Sequence, residues 1–354
     1  MITGAVYKKS HIMNKKLFLF LSCFYLSLSI VVAGCTEEKP IIMTVTGSID
    51  ASQMGIALTH EHILVDFIGA DKVDPNRYNR REVVEKVLPF LMETKAYGVK
   101  TLMECTPAYL GRDPILLRTL SQKTALQIIT NTGYYGAANN KFVPRYTFEE
   151  TAEQLSERWI KEWRDGIEQT GIRPGFIKIS VDANDKLSQM HKKIVIAAAM
   201  THLHTGLTIA SHTGSGKAAL EQIDLLEQYG VSPKAFIWVH AQTGEPSSQV
   251  VAAKKGAWIS IDNVVSEASG IEENVKQILN LKNKGLLRTV LISHDAGWYS
   301  VGELDGGTIR PYTAIFTHLL SALKKQGFTD HQLNQLLVIN PRNAFSIRVR
   351  TVRR

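Results

Sequence analysis

The residues best placed to do chemistry are two histidines, His60 and His62, in the stretch Thr59-His60-Glu61-His62. They close the apolar run Gly55-Ile56-Ala57-Leu58, which has the length and character of a buried β-strand. In a strand, residues i and i+2 share a face, so both imidazoles point the same way at the strand's end. Neutral imidazoles converging on one point suit zinc and its neighbours. Taken alone, the pair is equally compatible with two surface or hydrogen-bonded histidines. Four further strand-like segments, each ending on a residue able to ligate a metal, favour the metal.

Those segments belong to a regular series. Buried strands are expected at Gly55–His62, Val99–Cys105, Leu126–Thr132, Gly175–Ser180, Leu207–His212, Ala235–His240, Ala257–Asp262 and Thr289–Asp295. Each is short, apolar and followed by helix or by loop and helix. The clearest helix is predicted to start after Thr147, with Glu150 completing a capping box. Its apolar stripe runs Phe148, Ala152, Leu155, Trp159, Trp163 and Ile167, and Gly171 ends it. Eight β–α units in series predict an α/β fold, a (β/α)8 TIM barrel of the metal-dependent hydrolase type. A doubly wound open sheet is the rival, but no Gly-rich nucleotide loop follows the first strand. Met43–Ser52 is expected to form a hairpin covering the barrel's bottom. In such a barrel the chemistry sits at the C-terminal ends of the strands. Strands 1, 4, 5, 6 and 8 supply His60 and His62, Lys178, His212, His240 and Asp295 there.

The N-terminus reads as a targeting segment. Met13-Asn14-Lys15-Lys16 is a positive start, Leu17 to Val32 is apolar, and Val32-Ala33-Gly34-Cys35 supplies small residues and then cysteine. That order predicts a lipoprotein signal over residues 1–34, with Cys35 acylated, and one barrel domain over 35–354. A membrane-spanning helix or a plain secretory signal are the alternatives, although the run is short for a span of roughly 20 residues. Met1–Ile12 has no signal character, which leaves Met13 as a second possible start. Thr36 after the cysteine points to the outer membrane of a Gram-negative envelope. Without Lys8, Lys9, Lys15 and Lys16 the net charge of +8 falls to +4. No dense basic stretch with interleaved aromatics remains, so nucleic acid is not an expected partner. With Cys35 lipidated, Cys105 has no partner and reads as a buried core thiol.

The order His-x-His, Lys, His, His, Asp on strands 1, 4, 5, 6 and 8 resembles the amidohydrolase superfamily, and within it the phosphotriesterase family. The resemblance covers nearly all of the chain after the signal. It is carried by Gly55–Ile63, Gly111-Arg112-Asp113, Gly166–Lys178, Ser211-His212-Thr213, Trp238-Val239-His240, Ser293-His294-Asp295 and Asn340-Pro341-Arg342, in the expected order. It implies a binuclear hydrolase with a carbamylated lysine bridging the ions. His60, His62 and Asp295 would hold the first ion, His212 and His240 the second, and Lys178 would supply the bridge. The alternative for Lys178 is a structural ion pair. The ions are expected to be zinc, with manganese or cobalt as alternatives, and to share a hydroxide. Asp295 would also accept the proton. Glu61, on the opposite strand face, reads as structural or supporting.

Substrate contacts are less well marked. Tyr134 and Tyr135 follow strand 3 where family members place an aromatic lining the leaving-group pocket. Asn263 follows Asp262, where the phosphotriesterases carry histidine and the related lactonases arginine. The expected activity is cleavage of a small-molecule ester, a lactone or carboxylic ester ahead of a phosphotriester. A catalytically inactive lipid-anchored binding protein is the competing class. A homodimer is left open. His202, His204, His294, His318, His331 and Ser215 are expected outside the chemistry, and the Gly-rich segment Ala296–Arg310 is expected to be mobile.

Overall fold

An antiparallel hairpin comes first in the computed structural model, which describes residues 39–352. Strand β1 (Ile41–Thr44) pairs with β2 (Gly47–Asp50), so the hairpin begins slightly earlier than expected. There follow β3 (Ile56–Glu61), the short β4 (Leu64–Val65) and β5 (Val99–Glu104). Next come β6 (Gln127–Ile129) and, past Thr130, its continuation β7 (Asn131–Thr132). The series runs on through β8 (Phe176–Ser180), β9 (Ile209–His212), β10 (Phe236–Val239), β11 (Trp258–Ile261) and β12 (Val290–Ile292). The short β13 (Tyr299–Ser300) lies beyond the barrel.

Parallel pairing links β3-β5-β6 and, through the break at Thr130, β7-β8-β9-β10-β11-β12. Side-chain and backbone bonds close the circle between the last strand and the first: His60 N–H donates to Ser293 Oγ at 2.9 Å, and Asp295 N–H to the His60 carbonyl at 3.0 Å. The result is the expected (β/α)8 TIM barrel.

Strand alternation divides the core in two. Ala57, Met103, Ile129, Phe176, Ala210, Ile237 and Leu291 point inward and pack with Ile42 of the hairpin. Leu58, Leu102, Ile128, Ile177, Ile209, Phe236, Ile259 and Ile292 point outward into the larger helix-facing cluster. That outer layer includes α1 (Arg80–Ala96), α2 (Pro114–Thr124), the single turn α3 (Tyr146–Glu149), α4 (Ala152–Asp165) and α5 (Gln189–Thr205). It continues with α6 (Gly216–Gln228), α7 (Pro246–Lys255) and α8 (Ala268–Asn283).

Two local expectations are corrected. The helix expected after Thr147 breaks at Glu150, which is extended, and α4 opens on Thr151, whose side chain accepts from Gln154 N–H while Gln154 returns the bond. That box satisfies two amide donors reciprocally and displaces the Thr147–Glu150 alternative. Phe148 is left 54% exposed, outside the stripe. The helix ends at Gly166, whose φ of 92° suits glycine, rather than at Gly171. The Gly-rich segment after β12 is anchored at its two ends, with its tip at Leu304 exposed. Strand β13 pairs with β4, Val301 N–H donates to the Val65 carbonyl at 2.9 Å, and Gly297 bridges Arg310. A Cβ at Gly297 would collide with the His62 carbonyl and the Tyr312 hydroxyl, so this glycine lets the segment lie directly on the end of β3.

Candidate metal centre

A β-bulge aims the two histidines. Between Leu58 and Glu61, β3 advances three residues while β5 advances two, from Leu102 to Glu104. The extra residue reverses the alternation: Ala57 faces inward before it, and His60 and His62 face inward after it. Glu61 consequently faces outward. There its carboxylate accepts from Ser293 Oγ at 2.7 Å, His294 N–H at 3.0 Å and Ala296 N–H at 2.9 Å, and meets His294 Nδ1 at 2.7 Å. It latches the first barrel strand to the end of the last, the supporting role expected of it.

The other side chains arrive by register or by a turn. Lys178 shares the inward parity of Phe176, and His212 that of Ala210. His240 follows the inward Val239 and would point away, but its φ of 61° swings it back to the barrel mouth. Asp295 also sits at positive φ, 53°. Asp and Asn tolerate this region better than most residues.

Three donors converge. His60 Nε2 lies 3.2 Å from His62 Nε2 and 3.6 Å from Asp295 Oδ1, and His62 Nε2 lies 3.1 Å from the same oxygen. Asp295 Oδ1 is buried with no hydrogen-bond donor aligned on it. Two nitrogens and an orphaned carboxylate oxygen make a donor set that fits a divalent ion such as zinc. The far nitrogens are held in place: His62 Nδ1 by Thr106 Oγ1 at 2.8 Å, His60 Nδ1 by Asp262 at 3.0 Å, and His240 Nδ1 by Asp262 at 2.8 Å. Such partners fix the tautomer and leave Nε2 free to ligate. Asp262 is itself saturated, with Ser260 Oγ at 2.8 Å and Gln242 Nε2 at 3.0 Å donating to it. The trio His60, His240 and Asp262 is therefore an orienting cluster. The His212 and His240 rings lie 4.4 Å apart beside it.

The electrostatics favour the neutral imidazole that ligation needs at His60 and His212. Burial pushes the His60 pKa down to about 4, and burial with the neighbouring His240 and Lys178 charges puts His212 well below its ordinary value. For Asp262 and Asp295 burial works the other way, but the histidine charges outweigh it and keep both carboxyls ionised. Asp262 in turn raises His240 despite burial. Burial lowers the Lys178 pKa, and this lysine forms no ion pair among the described residues, so the ion-pair alternative finds no support.

His60, His62, Lys178, His212, His240 and Asp295 all line one cavity of about 60 Å³, together with Tyr135. Tyr135 Oη lies 3.2 Å from both ring nitrogens of His212. Tyr134 is corrected. Its side chain points away, packs edge-on against Trp159, and bonds Tyr146 Oη at 2.6 Å. Asn263 is exposed and does not line the cavity. Cys35 lies outside the described residues. Cys105 is the buried free thiol expected, and it also lines the cavity. Sequence reasoning missed Phe67 and Trp298 on the cavity wall and the support from Thr106, Asp262 and Gln242. Of these, Asp262 alone had a signal, as an acid at a strand end.

A family model described as the Phosphotriesterase family matches residues 40–345. A "Phosphotriesterase homology protein" of Escherichia coli is 26% identical over 293 residues, covering 82% of this chain and 98% of that one. An "Aryldialkylphosphatase" of Saccharolobus solfataricus is 25% identical over 313 residues, covering 84% and 97%. Among solved structures, the organophosphorus hydrolase from Deinococcus radiodurans superposes with a TM-score of 0.77 at 26% identity, covering 86% of this chain and 96% of that one.

Proposed function

This chain belongs to the phosphotriesterase family, and from that premise we propose that its barrel mouth is a binuclear centre that hydrolyses a small-molecule ester. His60, His62 and Asp295 would hold one divalent ion, zinc first, and His212 and His240 the other. A carbamate on Lys178 would join them. Two such ions would lower the pKa of a shared water and polarise the scissile group. The chain's own groups do the rest. Asp295, ionised and beside His62, is available to take a proton. Asp262 and Thr106 keep the imidazoles aimed. The Tyr135 hydroxyl, facing the same space, can orient the substrate oxygen.

The observation that carries this reading is the orphaned Asp295 Oδ1 converging with two imidazoles beside the buried Lys178. A lactone or carboxylic ester is the preferred substrate, and that preference rests on Tyr135, since neither Tyr134 nor Asn263 reaches the cavity. The phosphotriester reading is favoured by the names of the relatives, an aryldialkylphosphatase and an organophosphorus hydrolase. One experiment separates these readings. Undialysed protein is expected to carry two equivalents of divalent metal by elemental analysis, and His212→Ala to lose mainly one of them. Hydrolysis of lactones and aryl esters should be abolished by a chelator. One equivalent or fewer would contradict the binuclear centre. Paraoxon-like triesters turned over far faster than every lactone and aryl ester would reverse the substrate order. A tightly held metal pair with no turnover would favour a binding protein.

We further propose that the protein is held in the cell envelope by lipid on Cys35. Among the described residues no helix is long and apolar enough to cross a membrane. On this reading the lipid chains on Cys35 would provide the attachment. Cys35→Ala should leave the precursor unprocessed or release the protein from membranes. Detergent partitioning indifferent to that change would overturn the anchor.

A further inference from the structure

A second cavity, of about 680 Å³, lies against two loops that also wall the metal centre. Tyr109 and Tyr134 line it, while their chain neighbours Leu110 and Tyr135 line the metal cavity. Its size is that of an ordinary small-molecule site. Two stretches of the family resemblance that the metal centre leaves unused meet here, Gly111-Arg112 from one and Gly166, Glu168 and Gln169 from the other. Backbone strain gathers in the same place. Among the described residues eleven non-glycine positions have positive φ. Three of them, His240, Asp295 and Trp298, line the metal cavity, and three more, Tyr109 at 66°, Glu168 at 49° and Gln169 at 62°, line this one. Conformations of this kind persist where a site over-determines them.

The lining has a definite chemistry. Tyr146 Oη bonds Tyr109 Oη at 2.9 Å and Tyr134 Oη at 2.6 Å, so three hydroxyls form one chain. Burial pushes all three phenols up, and they meet a ligand as neutral groups. Two of their three protons are spent inside the chain, which leaves more lone pairs than protons to offer outward. The cations of the lining are committed. Arg112 is buried and forks onto Glu162 at 2.7 and 2.9 Å, Lys161 holds Asp165 at 2.6 Å, and Arg158 holds Glu150 at 2.9 Å. Two carboxylates are not. Glu168, 60% exposed, has only the distant Arg112 at 3.5 Å, and Asp74 accepts a backbone bond from Asn76 and meets no cationic side chain among the described residues. The Arg158 guanidinium lies 4.1 Å over the Tyr146 ring, so this wall already accepts a cation on its π face.

We infer that this cavity is a binding site for a small organic ammonium ion, separate from the metal centre. The tyrosine hydroxyls accept from its N–H groups, Glu168 and Asp74 supply the counter-charge, and the rings with Val73 and Pro75 cover its apolar body. An anion finds no free cation there. The site does not depend on the hydrolase reading.

The test is calorimetric titration of the metal-loaded protein at neutral pH with benzylamine, which is protonated, and with benzyl alcohol, its uncharged counterpart of the same shape. The amine should bind at least about tenfold more tightly than the alcohol. Asp74→Asn combined with Glu168→Gln removes both charges and keeps both shapes, and it should abolish that advantage while alcohol binding stays unchanged. Melting temperature checks the fold, and Glu168→Gln alone, on an exposed side chain, keeps the test decisive by lowering the amine's advantage if the paired variant is unstable. Equal binding of the two probes, or binding of neither at millimolar concentration, overturns the site. Amine binding indifferent to these substitutions overturns it too, and would seat the amine on the metal ions instead.

Discussion

Asp295→Asn is expected to depress turnover of any good substrate by at least about 10²-fold, the usual scale for losing a positioned proton acceptor. The substitution is nearly isosteric, and asparagine tolerates the φ of 53° found at this position. The bond from its backbone N–H to the His60 carbonyl is untouched. Folding should therefore survive, so the loss falls on chemistry and on the first metal site. The measurement is kcat and kcat/KM with metal saturating, beside elemental analysis and melting temperature. An unchanged kcat with both ions bound would show that another group takes the proton, and Asp295 would be reduced to a ligand.

Lys178→Ala should abolish activity, a loss at least as large as that of Asp295→Asn. The lysine is fully buried at the barrel's centre, and burial lowers its pKa below the ordinary value. A neutral amine attacks carbon dioxide, and the product is a carbamate anion with one proton released. That anion is a carboxylate on a long arm, of the reach and charge needed to join two cations. Carbon-13 NMR with labelled bicarbonate should show a carbamate signal in the metal-loaded protein and none in Lys178→Ala. Acetate or propionate should partly restore the variant by entering the space left by the side chain. An unmodified amine in metal-loaded protein, pointing away from both ions, would sink the bridge.

The barrel and the inward direction of Lys178 and His212 were legible because both follow from strand alternation and strand ends. The aim of His60 and His62 was legible only in outcome. The expected shared face is correct, but its inward direction depends on the bulge between Leu58 and Glu61, which leaves no mark in the residue types. Direction at the loops was harder to read. Tyr134 and Tyr135 are neighbours on opposite faces, and what separates them is a distant partner, Tyr146, waiting for one hydroxyl. His240 reaches the cavity through a left-handed turn that alternation would forbid. Trp298 carried no signal for the same reason, since its φ of 75° and its bond to Asp295 belong to the folded loop. The Thr147 box failed because a second box four residues later satisfied the helix better.

The latch formed by Glu61 sets an order of events. His60 and His62 lie at the end of the first strand of the barrel and Asp295 just past the last, and the two ends that Glu61 and Ser293 bring together lie 232 positions apart in sequence. The second pair, His212 and His240, lies on adjacent strands β9 and β10, which can pair as soon as both have been made. The three donors proposed for the first ion come together only when the seam is sealed. A growing or translocating chain that has made every strand but the last can thus have the second pair of donors in place and still lack the acid that completes the first. Sealing the barrel is thus the event that brings Asp295 against His60 and His62.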